Sequence, residues 1–268
     1  IMAYPISLVN PFNYHFFRVY IYHPLLFILN CIRFPKKSLD LIVKANSNNT
    51  FSVYGFQIKS PKKINKYFFA NLNSKFSSFI QEKYEFREKQ LVEKYLNQDD
   101  IVLELGGCIG VVSLLINKIL NNKLNHIVLE IDKINLKFLK LNRQNNNAKF
   151  KIIHGVLSMQ DKLYYKKSHS FWGGKISKKE NSNPIKSYSL KELELKSNLK
   201  FNTLVMDIEG GEVEVINDLD LNQFKKILFE IHFERKDSNY KVIEEKLKDF
   251  NFKKKESYGR VEYWERKS

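Results

Sequence analysis

Residues 203–216 read TLVMDIEGGEVEVI, with Asp207, Glu209 and Glu212 just after an apolar run and Gly210 and Gly211 between them. Carboxylates at the end of a buried strand can take or orient a proton on an acceptor group, and they can set negative charge beside a cationic ligand. Asp207 and Glu209 are the candidates for both. The paired glycines let backbone come close to a substrate. Glu212 opens the next helix, where the helix dipole favours an acid; a plain cap-region role is equally open to it. In LFEIHFE, Glu230 and His232 stand two apart and share one side of a strand. His232 is a second candidate base, or a buried histidine with satisfied partners. Asp207, Glu230 and His232 also carry the ligand types of a divalent-cation site, although the reading adopted from the sequence assigns no metal.

A second stretch, LELGGCIG (103–110), ends a strand and opens a helix. Its glycines do not keep the G-x-G-x-x-G spacing of a dinucleotide loop, and Glu104 precedes them. A carboxylate there would repel a phosphate and hold an ammonium group. S-adenosylmethionine has an ammonium, a sulfonium and a carboxylate and no phosphate, and a helix N-terminus can take the carboxylate. Glu130 ends the following strand, where an acid accepts hydrogen bonds from both ribose hydroxyls. The expectation is that Glu104, Gly106, Gly110 and Glu130 converge at the carboxyl ends of adjacent strands.

These residues need a scaffold, and the pattern supplies one. IVLEL (101–105), HIVLEI (126–131), FKIIHGV (150–156), TLVMDI (203–208) and KKILFEIHF (225–233) read as apolar strands. Helical segments alternate with them, and residues 251–267 read as a hairpin around Gly259. Continuous apolar strands alternating with helices predict an α/β fold. It is a Rossmann-like sheet, mostly parallel and covered on both faces, with a C-terminal antiparallel hairpin. Residues 74–96 carry helical periodicity. Residues 40–58 look like two strands around an Asn-rich turn. The expected division is an N-terminal extension over 1–73 and a main domain over 74–268. Residues 157–200 form a polar insertion within that domain, long enough to suggest a substrate loop. There, HSFWGGK offers His169 and Trp172; the ring of Trp172 suits a sugar face or a buried anchor.

Composition sets the wider limits. The net charge is +16, and 43% of residues are hydrophobic. Basic excess of this size admits a nucleic-acid or membrane partner, but it is mostly Lys in a chain crowded with Asn and Ile, the signature of an AT-rich genome. Two distant cysteines, Cys31 and Cys108, exclude a disulfide framework and fit a reducing cytoplasm. Residues 11–37 are aromatic-rich with basic neighbours, but Arg18, His23 and Pro24 interrupt the run, so a membrane-spanning helix is not expected. Peripheral contact with the inner face of a membrane, packing on the main domain and a homodimer contact all remain open for it.

The stretches Tyr84-Glu85, IVLELGGCIG, VLEIDKINLKFLKLNRQNN and LVMDIEGGE resemble the class I S-adenosylmethionine-dependent methyltransferases, and within them the FkbM family. The Asp-x-Glu-Gly-x-Glu pattern is the most specific of these. Glu104 stands where Asp is commoner, and Val205 where many members carry Lys. The resemblance implies S-adenosylmethionine as cofactor, bound by Tyr84, Glu85, Glu104, Gly106, Gly107, Cys108, Gly110, Glu130, Ile131 and Asp207; Gly155 and Val156, at the end of the next strand, are further candidates. Asp207 and Glu209 fall in its signature and are the expected catalytic acids, beside His232 from the strand pattern. The expected substrate contacts are Glu209, Gly210 and Gly211 of the signature, with Glu230, His169 and Trp172 from the strand and insertion patterns. The expected acceptor is a hydroxyl, of a sugar in a glycan or a similar natural product, with RNA or a non-catalytic basic binding module as alternatives.

Overall fold

The computed structural model describes residues 50–61, 84–167, 174–177 and 183–267. The expected membrane or dimer segment 11–37, His169 and Trp172 lie outside them. Among the described residues no helix is long and apolar enough to cross a membrane.

Five strands run parallel: β3 (Val102–Leu105), β4 (His126–Glu130), β5 (Lys151–His154), β11 (Thr203–Met206) and β12 (Lys226–Glu230). With the hairpin strands β13 (Phe252–Tyr258) and β14 (Val261–Arg266), the sheet order is β13-β14-β12-β11-β3-β4-β5. The second strand of the hairpin, not the first, pairs antiparallel with β12. Chain order reverses between β3 and β11, so the crevice above their carboxyl ends is the switch point where such sheets bind ligands.

Side-chain alternation sends each strand's residues to opposite faces. Leu103, Leu105, Leu204, Met206 and Phe229 join one core cluster. Val102, Val205 and Leu228 join the other, against helices α1 (Phe86–Tyr95) and α2 (Val111–Ile119). Both faces are dry, which is why the strands read as unbroken apolar runs. The helix expected over 74–96 begins only at Phe86 in its described part, because Glu85 takes a left-handed φ of 51°. Helix α3 (Lys133–Asn145) is capped by Asp132, whose Oδ1 accepts from Ile134 N and Asn135 N.

Strands β1 (Thr50–Val53) and β2 (Phe56–Lys59) form a hairpin that turns at Tyr54 and Gly55, both with positive φ, so this turn follows the Asn-rich stretch. The hairpin is tied to α3: Asn142 Oδ1 accepts from Lys59 N at 2.7 Å, and its Nδ2 donates to Lys59 O.

The segment 157–200 is more structured than a loop. Strands β7 (Leu163–Lys167), β8 (Gly174–Ser177) and β9 (Asn183–Ile185) make an antiparallel sheet ordered β8-β7-β9. The short strands β6 (Val156–Leu157) and β10 (Ser187–Tyr188), which flank it in the chain, pair in parallel. Helix α4 (Leu190–Ser197) has a complete Ser189–Glu192 capping box. Leu193 of α4 is in the main core, so the end of the expected insertion belongs to the scaffold as the crossover into β11.

Candidate active site

The end of β3 and the end of β11 are fastened to each other. Asp207 N donates to Leu105 O at 3.0 Å, and Gly106 N and Gly107 N both donate to Leu129 O on β4. Gly106 has φ +88°, and a Cβ there would sit 1.9 Å from the Asp207 carbonyl oxygen. Only glycine fits. Gly107 and Gly110 serve a different purpose from the expected one. A Cβ at either would strike Leu139 of α3, so they set helix-to-sheet packing and do not line the crevice.

Glu104 is a correction. It was expected to reach an ammonium group, but its register partners are Val205 and Val128, which places it on the α1/α2 face of the sheet. There it is 3% exposed, accepts from Ser113 Oγ at 2.7 Å and pairs with His126 Nε2 at 2.7 Å. Both oxygens are committed, and Glu104 is absent from the cavity wall.

The cavity occupies about 450 Å³, the size of a small-molecule site. Tyr84 and Glu85 form one rim, and Tyr54 Oη supports them by donating to Tyr84 O at 2.7 Å. Gly106, Cys108, Glu130 and Ile131 line the side above β3 and β4, and Gly155 and Val156 continue it. Asp207, Glu209, Gly211 and Glu230 line the end above β11 and β12. Glu130 accepts from Cys108 N at 2.7 Å and Asp132 N at 2.6 Å. Burial nevertheless pushes its carboxyl up to about 8. Burial also pushes the Cys108 thiol well up, so it remains protonated and is no nucleophile.

The acidic turn brings its groups together around one imidazole. Glu209 and Gly210 both take positive φ, 54° and 104°. Gly210 meets nothing within 4 Å and is not on the wall, so its glycine answers to backbone conformation and not to substrate approach. Glu212, 0% exposed in the first turn of α5 (Glu212–Asp218), accepts from Gly210 N at 3.2 Å and from His232 Nδ1 at 2.9 Å. It is thus a buried orienter of His232 as well as a helix-start acid. His232 stands behind the wall, its Nε2 3.4 Å from Asp207 Oδ1, 3.7 Å from Glu209 Oε2 and 3.8 Å from Glu230 Oε2. Burial alone lowers the His232 pKa, but the Glu212 hydrogen bond and the charges of Glu212, Asp207 and Glu209 overcome this and lift it to about 9. Burial, then the Glu230 charge, pushes Asp207 up to about 8. Asp207 Oδ1 is shut off from solvent and has no hydrogen-bond partner.

Three residues were not foreseen. Asp132 lines the cavity, and its Oδ2 pairs with Lys167 Nζ at 2.7 Å and accepts from Tyr165 Oη at 3.2 Å. Burial opposes its ionisation, yet Lys167 and the N–H groups of α3 hold its pKa below the ordinary value. Strand β7 thereby fastens the inserted sheet over the crevice, with Tyr165 and Leu163 on the wall. The signal was the alternation in LYYKK, which puts Leu163, Tyr165 and Lys167 on one side.

This strand order and this crevice are those of a Rossmann-like methyltransferase. The chain belongs to the FkbM methyltransferase family: the pattern described as "Methyltransferase FkbM domain" matches residues 97–254, more than half of its length. Membership makes S-adenosylmethionine the methyl donor. No curated protein matches the sequence significantly. Solved structures of similar architecture include a ribosomal protein L11 methylase from Lactobacillus delbrueckii subsp. bulgaricus, at 14% identity over 68% of this chain and 77% of that one, TM-score 0.43. An O-methyltransferase from Bacillus cereus in complex with SAH aligns at 11% identity over 68% and 80%, TM-score 0.39. A methyltransferase from Pyrococcus furiosus aligns at 13% identity over 87% and 96%, TM-score 0.44.

The residues present fit that donor. Glu85, Glu130, Asp132, Asp207, Glu209, Glu214 and Glu230 line the cavity, and among the described residues no Lys, Arg or His does. The described wall offers a phosphate no basic partner, and its acids can accept hydrogen bonds from an ammonium group. Glu130 has acceptor capacity left on both oxygens for a diol. Glu85 is on the cavity wall, where Glu104 is not.

Proposed function

We propose that this methyltransferase acts on oxygen, modifying a hydroxyl of a sugar in a glycan, polysaccharide or similar natural product. One observation carries the reading: an acid-lined cavity without a basic side chain on its described wall. It suits a neutral, polyhydroxylated acceptor, whose hydroxyls donate to carboxylates. S-adenosylmethionine supplies a methyl group on a sulfonium leaving group. Asp207 and Glu209 orient the acceptor hydroxyl and take up its proton; general-base help of this kind is worth roughly 10²- to 10⁴-fold. His232, held at Nδ1 by Glu212, sets its ring beside the two carboxylates. Tyr165 offers an aromatic wall opposite.

The +16 net charge favours RNA as the second reading; the acid lining of the cavity weighs against a phosphate-bearing strand entering it. The same proposal puts the enzyme in a reducing cytoplasm, with residues 11–37 as its contact with a membrane surface or a second copy. The test is incubation with methyl-labelled donor and a panel of glycans, lipids and RNA. Label on a sugar oxygen supports the reading. Label only on RNA replaces it with the second.

A further inference from the structure

Charge pairing at the acidic turn differs from that at three other buried acids. Buried Asp100 pairs with Lys226 at 2.8 Å, Asp132 with Lys167 at 2.7 Å, and Glu262 with Arg235 at 3.0 Å. Among the described residues no Lys or Arg pairs with Asp207, Glu209, Glu212 or Glu230; these four carboxylates share one imidazole. One imidazole is thus set against four acidic side chains. A cation held among them would balance the excess of acid.

The geometry says what kind. Asp207, Glu209 and His232 each offer a ligand atom, and all three atoms lie within 4.8 Å of one another. Ligand atoms around a metal held at about 2.0–2.2 Å stand roughly 3.0–3.5 Å apart, and His232 Nε2 lies 3.4 Å and 3.7 Å from the two carboxylate oxygens. Those separations are too long for good hydrogen bonds. Asp207 Oδ1, facing Nε2, is buried and unpartnered. On the far side of the ring, fully buried Glu212 receives Nδ1–H. When a cation displaces the Nε2 proton, that carboxylate–histidine arrangement keeps the other proton on Nδ1 and turns Nε2 toward the cluster, as outer partners of metal-binding histidines do.

We propose that Asp207, Glu209 and His232 bind a first-row divalent cation of the Mn²⁺ or Zn²⁺ class, with Glu212 as its outer partner. Mixed imidazole and carboxylate donors suit these ions better than Mg²⁺ or Ca²⁺. Its open positions face the cavity and receive the acceptor oxygen. Coordination lowers the pKa of that hydroxyl; the proton passes to the Glu209 oxygen that does not hold the cation, and the acceptor oxygen keeps the electron pair. Only this last step rests on oxygen being the methyl acceptor; the cation site does not.

The test is Mn²⁺ titration of the full chain, without donor or acceptor, read by the loss of the free-ion paramagnetic resonance signal. The expected result is one Mn²⁺ per chain, displaceable by Zn²⁺. His232→Asn and Glu209→Gln each weaken binding tenfold or more, Glu212→Gln weakens it by about 10- to 100-fold, and Glu104→Gln leaves it unchanged. Glu209 is partly exposed, so its variant folds even where a buried one does not. A folded wild-type chain that binds neither ion at millimolar concentration overturns the proposal, as does binding that none of these substitutions moves. Sugar methylation that survives exhaustive chelation also overturns it and leaves the proposed function standing. Tight Mn²⁺ binding with label only on RNA does the reverse.

Discussion

Two turns of this protein look alike in sequence and do opposite things. Both have an apolar strand, a carboxylate at or near its end, a glycine pair and a helix: Glu104 to Gly110 after β3, and Asp207 to Glu212 after β11. In the first, the glycines answer to packing and the acid turns inward to His126 and Ser113. In the second, the acids Asp207 and Glu209 face the cavity, and Gly210 has open space around it. The first turn is a fastening and the second is a working surface. The lesson is that a carboxylate's place relative to the strand end decides its role. Glu104 lies within β3 and is bound by the face alternation of the sheet; Asp207 lies one residue beyond β11 and is released from it.

The sharpest way to break this contrast is at the catalytic acids. Asp207→Asn is expected to lower kcat by about 10²- to 10⁴-fold with little change in donor affinity, measured by labelled methyl transfer and calorimetry. Glu104→Gln is expected to leave kcat per folded molecule unchanged. Equal losses in the two variants would end the distinction.

The glycines come next. Gly106→Ala must push its Cβ through the Asp207 carbonyl and is expected to cost about 3 kcal/mol or more, seen as a lowered denaturant midpoint. Gly210→Ala meets no atom and keeps only the left-handed backbone penalty, about 1–2 kcal/mol. A larger loss at Gly210 would show that the second turn is a fastening too.

Glu130 joins the two regions, since the first turn's Cys108 N–H orients it toward the cavity. Glu130→Gln is expected to weaken donor binding about tenfold, as loss of charged hydrogen bonds does, while Asp207→Asn spares it.

The smallest effect is in pH. The folded pKa of Glu130 is raised to about 8, above the unfolded carboxylate value near 4.5. The folded chain therefore holds this proton more tightly, so its contribution to stability is full below the unfolded value and is lost as pH rises through about 8. The donor-free protein should melt at progressively lower temperature across that window, and Glu130→Gln should flatten the slope.

The sequence alone determined the parallel sheet, the positions of β3, β4, β11 and β12, the donor class and the cluster of Asp207, Glu209, Glu230 and His232. Apolar runs, glycines and acids at strand ends are local patterns, and they survive into the structure because burial and turn geometry act locally. Three things were decided only by the tertiary structure. Glu104 faces helices on a sheet dry on both sides, and an unbroken apolar run has no alternation to reveal which face a residue takes. Glu212 meets His232 from another element, 20 positions away. Asp132 meets Lys167 and Tyr165 because the inserted sheet folds back over the crevice. Contacts of that kind depend on where whole elements pack, which no short stretch of chain encodes.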